Sequence, residues 1–277
     1  MHCIINNEII PVEKAVIGIS DLALQRGYGI FDFFKTVNGR PVFFDAHLDR
    51  FYRSADAMRL TPPHERNDFK KKISELLAVN SINSSGVKIT LTGGYSVDGF
   101  TPGSPNLIVV QSPMPPLQGI QREGIRIITY AYKRQVPFVK STDYLMAVWL
   151  QPQIKEQGAQ DVLYHWDGII TECPRANIFI VTKDKMVLTP VKDVLQGISR
   201  SRLLSTKLSY PVIEADISLQ DVYDAAEVFI TSTTKNVLPV TVVDNKVIGR
   251  GEAGEVTCVL SEELEALIQA DVSGSHY

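Results

Sequence analysis

Apolar and polar residues alternate in short runs along the first part of the chain, which is the pattern of strands with one buried face. Residues 3–5 and 8–11 flank a pair of asparagines, and residues 33–37 and 41–44 flank Asn38-Gly39. Asn-Gly between two apolar runs is the strongest short signal for a hairpin, because both residues tolerate a positive φ. The chain is therefore predicted to begin as antiparallel sheet.

Two helices are predicted to cover that sheet. Asp45 is the predicted N-cap of the first, whose apolar residues recur at helical spacing from Leu48 to Met58. Asn67 is the predicted N-cap of the second, whose apolar positions end at Leu77. The next predicted strands lie at 87–92 and 106–111.

Residues 112–117, Ser-Pro-Met-Pro-Pro-Leu, interrupt every periodic pattern and predict an interdomain linker. A small N-terminal α/β domain is expected at 1–117 and a large C-terminal domain at 118–277. In the second domain short strands dominate, at 125–132, 161–165, 169–172, 177–181, 186–189, from 212, at 227–231 and at 237–243. Its predicted helices lie at 144–157, from 198, at 218–224 and at 255–270. The expected fold class is α+β, with mostly antiparallel sheets and flanking helices.

Composition narrows the function classes. The chain has 277 residues, 28 Lys and Arg against 31 Asp and Glu, and a net charge of −3, without the basic stripe of a nucleic-acid-binding protein. The N-terminus does not read as a secretory signal and no apolar run is long enough to span a membrane, so a cytoplasmic location without membrane association is expected. Three cysteines without a Cys-x-x-Cys pair, and five histidines without an i, i+4 pair, predict neither disulfides nor a metal site.

Lys140 is the first candidate for chemistry. It follows an apolar run at 136–139 and precedes a predicted helix whose apolar face includes Tyr144, Leu145 and Val148. An amine in apolar surroundings tends to lose its proton, as a Schiff-base lysine requires. The alternative is an ordinary surface lysine whose stem lies along apolar groups.

Three further stretches are candidates for binding. Gly197-Ile198-Ser199-Arg200 opens a helix, whose first N–H groups and positive dipole end attract an anion; an ordinary loop-to-helix junction is the alternative. The segment Thr231-Ser232-Thr233-Thr234 has hydroxyls and amides that could bind a phosphate. The alternative is an ordinary polar turn. Glu172 alternates with apolar residues, so it is either a partly buried carboxylate facing a cationic nitrogen or an exposed edge-strand glutamate.

The order of these stretches resembles the fold type IV aminotransferases, the pyridoxal-phosphate enzymes that include D-amino-acid aminotransferase, branched-chain aminotransferase and aminodeoxychorismate lyase. The resemblance covers nearly the whole chain. It is carried in order by the stretches 26–32, 47–50, 140–145, 158–159, 167–172, 177–179, 189–190, 197–200 and 231–234.

The resemblance implies pyridoxal 5'-phosphate as cofactor and a role for each matching residue. Lys140 would bind the cofactor covalently and then move the α-proton of the substrate, and Glu172 would pair with the pyridine nitrogen. The remaining cofactor contacts implied are Arg50, Ile198, Ser199, Ser232 and Thr233 at the phosphate, Leu195 against the ring and Tyr144 at the phenolic oxygen. The family also implies a homodimer in which a loop of the neighbour completes each site.

Two departures leave the substrate open. Pro174 occupies a position where the family has a small residue, and residues 95–100 lack the Arg-x-His that holds the substrate carboxylate in typical D-amino-acid aminotransferases. Arginine grips a carboxylate through two parallel hydrogen bonds, so Arg26, Arg175 or both are predicted to replace that pair; a surface arginine and a turn arginine are the respective alternatives. Phe31 and Thr234 complete the predicted substrate-binding set.

The expected activity is amino-group transfer between an amino acid and a 2-oxo acid such as 2-oxoglutarate, with D-amino acids favoured. A branched-chain L-amino-acid aminotransferase and an aminodeoxychorismate lyase are the alternatives within the family. A non-catalytic cofactor binder is the alternative outside it, against which the presence of both Lys140 and Glu172 argues.

Overall fold

The structure is a computed structural model that describes residues 1–115 and 119–274. Two residues of the predicted linker, Pro116 and Leu117, lie outside the described residues. Within them, no helix combines the length and the apolar character needed to cross a membrane.

The chain divides into two compact units. The first is Met1–Leu117 together with Val139–Asp143, and the second is Gln118–Phe138 together with Tyr144–Tyr277. The segment that carries Lys140 therefore belongs to the first unit, although the domain predicted to contain it begins at residue 118. The domain boundary itself stays a prediction.

The first unit is built on a six-stranded sheet in the order β2-β1-β6-β5-β3-β4, and every neighbouring pair in it is antiparallel. Both predicted hairpins are present. Its strands are β1 (His2–Ile5), β2 (Glu8–Pro11), β3 (Gly29–Val37), β4 (Arg40–Pro41), β5 (Ser85–Thr92) and β6 (Leu107–Pro113). Its helices are α1 (Leu22–Arg26), α2 (Phe44–Ala57) and α3 (Arg66–Asn80), with a 3-10 turn at Val12–Lys14. Its core includes Phe34, Phe51, Phe69 and Ile89, which are fully buried.

Both predicted helix caps in this unit are wrong by two residues. Helix α2 begins at Phe44 behind Phe43, which has a φ of +50°, so Asp45 lies in the first turn and pairs with Lys70. Helix α3 begins at Arg66 behind the extended Glu65. Asp and Asn are common at caps, but here both residues lie inside the first turn, where the helix dipole also favours the negative charge of Asp45.

The predicted linker also begins too early. Strand β6 continues to Pro113, and Ser112 and Pro113 pair with Gly86 and Ser85 of β5. Proline is tolerated there because it is the last residue of the strand, where a missing N–H interrupts little of the ladder.

The second unit contains a ten-stranded sheet with a main path β13-β12-β11-β14-β15-β7-β8-β9, to which β10 adds beside β11 and β16 beside β15. Its strands are β7 (Ile125–Ala131), β8 (Asp161–Trp166), β9 (Ile169–Ile170), β10 (Glu172–Cys173), β11 (Ala176–Val181), β12 (Val187–Pro190), β13 (Val212–Ala215), β14 (Glu227–Ser232), β15 (Asn236–Val243) and β16 (Lys246–Val247). Its helices are α4 (Leu145–Trp149), α5 (Gln151–Glu156), α6 (Ile198–Ser205), α7 (Leu219–Asp224) and α8 (Glu255–Ser273).

Most pairs in this sheet are antiparallel, and three are parallel: β12 with β13, β15 with β7, and β7 with β8. Two of these parallel pairs are joined by helical crossovers, since α4 and α5 connect β7 to β8 and α6 connects β12 to β13. Parallel neighbours need such crossovers, so the helices predicted between these strands account for the mixed sheet. Ile178, Ile230, Val240 and Leu163 lie in its core.

Three local predictions for the second unit are wrong. The helix expected at 144–157 is split at Leu150, because Pro152 has no N–H to donate to the carbonyl of Val148. Leu145 and Val148 are 74% and 66% exposed, so they do not form the buried apolar surface expected beside Lys140. Strand β7 ends at Ala131, so the apolar run at 136–139 is not a strand end.

Candidate active site

The site in the second unit starts from one row of residues across three neighbouring strands. Glu172 of β10 lies opposite Asn177 of β11, and Asn177 lies opposite Thr231 of β14. All three residues are buried. The strand register therefore aligns a carboxylate, an amide and a hydroxyl.

Asn177 fixes the turn that precedes α6. Its Nδ2 donates to the carbonyl of Leu195 (2.8 Å), and a Cβ at Gly197 would collide with its Oδ1. The N–H of Gly197 also donates to the Leu195 carbonyl (2.8 Å). Only glycine fits at 197, because any side chain would push the turn away from β11.

Glu172 is held from two sides. The N–H of Leu195 donates to its Oε2 (2.9 Å), and Nη1 of Arg134 donates to its Oε1 (2.7 Å). Glu172 is 4% exposed, so the exposed edge-strand alternative is wrong. A buried carboxylate is stable as an anion only when charge and hydrogen bonds compensate its lost hydration, and Arg134 with Leu195 supplies both.

The start of α6 has the character of an anion site. Gly197 precedes the helix in an extended conformation, and no side chain of residues 1–115 or 119–274 caps it. The first N–H groups of a helix, here those of Ile198 and Ser199, have no acceptor within the helix, and the dipole is positive there.

Helix α6 packs against β14, which ends in the predicted hydroxyl cluster. Oγ1 of Thr231 is buried and has no hydrogen-bond partner among the described residues. Oγ of Ser232 accepts the N–H of Lys235 (3.1 Å) and lies 3.3 Å from Oγ1 of Thr234, while Thr233 is half-buried. Buried hydroxyls are nearly always hydrogen-bonded, so an orphan one beside a helix N-terminus fits the predicted phosphate.

The first unit holds Arg50 in a buried ionic cluster. Its Nε and Nη2 donate to Oδ2 and Oδ1 of Asp32 (2.7 and 2.9 Å), and Nδ1 of His47 lies 2.7 Å from Oδ1. Asp32 lies on β3, and His47 and Arg50 lie one turn apart on α2. The fork fixes the plane of the guanidinium.

The cluster shifts two pKa values. Burial alone would raise the pKa of the Asp32 carboxyl, but the charge of Arg50 and the hydrogen bonds from His47 and Arg50 outweigh it and hold that pKa well below its ordinary value. Burial lowers the pKa of His47 below 6.5, although the hydrogen bond and charge of Asp32 oppose this effect. His47 is therefore neutral at pH 7, and Asp32 is ionised.

Lys140 is tied to β3. Its carbonyl accepts the N–H of Phe31 (2.9 Å), its own N–H donates to Oγ of Ser54 (3.3 Å), and its Nζ lies 4.5 Å from the centroid of the Phe31 ring. Nζ of Lys88, on β5, lies 5.1 Å from the same centroid. The amines of Lys88 and Lys140 therefore both lie close to the Phe31 ring, as cations do near the electron-rich face of an aromatic ring.

The other predicted site residues are placed as follows. Tyr144 is half-buried and immediately precedes α4. Arg26 is exposed at the end of α1, where its Nη1 donates to the carbonyl of Gln25 (2.9 Å). Arg175 is exposed in the turn between β10 and β11, and Thr234 is exposed after β14.

The predicted residues divide between the units. The first unit contains Lys140, Arg50, Phe31 and Arg26. The second contains Glu172, Leu195, Ile198, Ser199, Ser232, Thr233, Tyr144, Arg175 and Thr234. Among the described residues, no group of three or more His, Cys, Asp or Glu is arranged to hold a metal ion.

Sequence reasoning missed five residues of these clusters. Asp32 and His47 stand inside stretches that carried the family resemblance, so that pattern could have identified them. Thr231 was treated only as part of a hydroxyl run. Arg134 and Lys88 had no sequence signal, because one lies in an irregular segment and the other reads as a solvent-facing strand position.

Comparisons with solved structures show which fold the chain has. The branched-chain aminotransferase of Thermoproteus uzoniensis, solved with norvaline, matches with a TM-score of 0.88 at 21% identity, over 99% of this chain and 97% of that one. A Mycobacterium tuberculosis protein described as a hypothetical aminotransferase, solved in its PLP-bound form, matches with a TM-score of 0.82 at 22% identity, over 98% and 100%. The fold is that of the fold type IV aminotransferases, as expected.

The sequence comparisons are more specific. The profile of the family described as Amino-transferase class IV matches residues 29–243. A Methanocaldococcus jannaschii protein provisionally named a branched-chain-amino-acid aminotransferase is 30% identical over 277 residues, covering 96% of both chains. The D-alanine aminotransferase of Listeria monocytogenes serotype 4b is 30% identical over 290 residues, covering 98% of this chain and 97% of that one. The chain belongs to the class IV aminotransferase family.

The lowered pKa of His47 predicts a pH-dependent stability. Below pH 6.5 the unfolded chain takes up a proton at His47 while the folded protein does not, so the free energy of unfolding falls as the pH drops through 6.5. His47→Gln should flatten that slope by up to about 1.4 kcal/mol per pH unit. Urea unfolding between pH 7.5 and 5.5 measures it, with His64→Gln as the matched control. If the free energy of unfolding had the same pH dependence in wild type and His47→Gln, the lowered pKa of His47 would be contradicted.

Proposed function

We propose that this protein is a pyridoxal 5'-phosphate-dependent aminotransferase that moves an amino group between an amino acid and a 2-oxo acid. The observation that carries the proposal is the buried Glu172, held by a turn that leads directly into the N-terminus of α6. This turn thus links an acceptor for a protonated ring nitrogen, Glu172, to donors for a phosphate at the start of α6. Membership of the class IV family supports the same conclusion.

Each residue has a separate task in the proposal. Lys140 binds the cofactor covalently and, once released by the substrate amine, moves the α-proton as general base. Glu172 keeps the ring nitrogen protonated, so that the bound cofactor can accept the electron pair left on the substrate carbon. The phosphate is held by Arg50, by the N–H groups of Ile198 and Ser199, and by Ser232 and Thr233; Leu195 lies against the ring and Tyr144 binds its phenolic oxygen.

For the amino acceptor we propose a dicarboxylic 2-oxo acid such as 2-oxoglutarate. Lys88 and Lys140 lie on one Phe31 ring, and Lys88 remains as a cation when the amine of Lys140 is used in bonding. A cation at that position attracts the distal carboxylate of a dicarboxylate. Arg26 and Arg175 are the proposed partners of the α-carboxylate, and Thr234 completes the substrate-binding set.

For the amino donor, D-amino acids are the first candidate, as the D-alanine aminotransferase of Listeria monocytogenes suggests. Branched-chain L-amino acids are the second. The relative from Methanocaldococcus jannaschii favours them, as do Val97 and Phe100, which are exposed where an Arg-x-His is missing. A screen of both enantiomers against 2-oxoglutarate separates the two candidates.

We also propose a homodimer. Residues 94–100 are hydrogen-bonded to residues 20–22 through the pairs Leu22–Gly94 and Ser96–Ser20. Exposed apolar side chains lie in the first of these segments and on either side of the second: Val97 and Phe100, and Val16, Ile19 and Leu24. Exposed apolar side chains at neighbouring segments favour association with another chain. The cytoplasmic location remains a prediction.

Lys140→Ala should abolish transamination and leave the fold intact, because the variant lacks the amine that binds the cofactor covalently and moves the α-proton. Borohydride reduction followed by peptide mapping checks this result, since wild type should carry the cofactor on the peptide of Lys140. Lys133→Ala is the control, because Lys133 pairs with Asp193 on the surface and should be dispensable. A reducible adduct in Lys140→Ala would show that the assignment is wrong.

Lys88→Met should raise the KM for 2-oxoglutarate about ten- to a hundredfold, since it removes a charge-assisted contact, and should hardly change the KM for pyruvate. Lys14→Met, on an exposed turn, is the control. Arg26→Ala or Arg175→Ala should instead raise the KM for both 2-oxoglutarate and pyruvate, because both acids carry the carboxylate that these arginines are proposed to bind. Equal effects of Lys88→Met on both acids would contradict its role.

Val97→Asp should dissociate the dimer, because it places a charge in the apolar surface on which association depends. Sedimentation velocity of wild type and variant measures the change. Val79→Asp, on the exposed face of α3, is the matched control and should leave the dimer unchanged. A monomeric wild type would refute the dimer, and a dimeric Val97→Asp would refute this interface.

A further inference from the structure

We propose that Arg134 is a positioning residue for Glu172, which it holds in the orientation and the charged state that keep a proton on the ring nitrogen of the cofactor. The inference rests on the proposed function. It assigns a task to a residue that lies outside the recognised sequence motifs, in an irregular segment after β7.

The guanidinium of Arg134 is anchored by its own loop as well as by its ion pair. Nη1 donates to the carbonyl of Pro137 (3.0 Å) and to Oε1 of Glu172 (2.7 Å). The side chain of Arg134 is 17% exposed and that of Glu172 is 6% exposed. The contact is therefore largely shielded from water, where charge-assisted hydrogen bonds are strongest.

The two oxygens of Glu172 are held by two different elements. Arg134 holds Oε1 from the segment after β7, and the N–H of Leu195 holds Oε2 from the turn before α6. A carboxylate fixed through both oxygens cannot rotate about its terminal bond. Its orientation toward a ligand therefore depends on both donors.

Arg134 also determines where a shared proton resides. A guanidinium stays charged at every accessible pH, and a cation 2.7 Å from a carboxylate favours the ionised carboxylate. An ionised Glu172 leaves the proton on the nitrogen that it accepts from. Without the charge of Arg134, burial would favour the neutral carboxylic acid, and Glu172 would be a weaker partner for a protonated ring nitrogen.

The test compares pyridoxal 5'-phosphate with its 1-deaza analogue, in which a CH group replaces the ring nitrogen. Dissociation constants for both compounds are measured by equilibrium dialysis with the full-length apoprotein. Wild type should bind the natural cofactor more tightly than the analogue. Arg134→Gln should weaken binding of the natural cofactor about ten- to a hundredfold, the size of one charge-assisted contact, and change binding of the analogue by less than about twofold.

Three further variants make the result specific. Arg134→Lys keeps the charge without the fork and should give an intermediate loss. In a Glu172→Gln background, Arg134→Gln should cause no additional loss of preference between the two compounds. Arg126→Gln is the matched control, since Arg126 lies on β7 and its Nη1 donates to Asn245 at the surface (3.2 Å).

The outcomes separate this inference from the proposed function. If wild type binds neither compound, the proposed function fails and the inference fails with it. If wild type prefers the natural cofactor and Arg134→Gln keeps that preference, or weakens both compounds equally, only the inference is overturned. If circular dichroism shows that Arg134→Gln is unfolded, Arg134→Lys decides the question. An unchanged preference of Arg134→Lys for the natural cofactor over the analogue would overturn the inference.

Discussion

The side-chain amide of Asn177 holds the turn at residues 195–197, and the site of the second unit depends on that turn. The amide nitrogen bonds the Leu195 carbonyl, and the amide oxygen leaves no room for a side chain at 197. Because the turn is fixed, the Leu195 N–H reaches Glu172 and α6 begins with its first N–H groups uncapped. A carboxylate and a helix terminus, which would otherwise be independent, are thus placed by one amide in a strand.

Each unit contains a buried carboxylate held by an arginine, and the two pairs differ in a way that matters for chemistry. Both carboxylate oxygens of Asp32 are hydrogen-bonded within the protein, to two nitrogens of Arg50 and to His47. Glu172 shares its partners between Arg134 and a backbone N–H. In both pairs, loss of the arginine would remove the cation beside a buried carboxylate, and breaking a buried pair in this way costs several kcal/mol, about 3 to 5 in comparable pairs. Such pairs specify geometry more than they add stability.

The sequence was sufficient to predict those helices and strands whose local sequence signals agree with the way they pack in the fold. The hairpin at Asn38-Gly39 formed as predicted, and so did α7, where Ser218 and Asp221 make a capping box. The predicted starts of α2 and α3 are two residues late, because Asp45 and Asn67 are residue types common at caps but lie inside the first turns.

For the site, sequence order identified which residues belong to the class IV pattern, but it could not supply contacts between distant residues. Arg134 and Glu172 are 38 positions apart, and only the folded strands bring them within hydrogen-bonding distance. The predicted surroundings of Lys140 were wrong for a related reason. The apolar residues on either side of Lys140 were interpreted as a buried strand end and a buried helix face. In the structure Phe138 and Leu145 are exposed. Periodicity reports amphipathic character, and it does not report which apolar groups find a partner.

The position of β7 in its sheet has a consequence for synthesis on the ribosome. This strand lies between β15 and β8, and Thr129 bonds to Asp244, 115 positions later in the chain. One edge of β7 therefore stays unpaired until nearly all of the second unit has been translated. An unpaired strand edge can add to another nascent chain, so the yield of folded protein depends on translation speed and chaperone access over that interval.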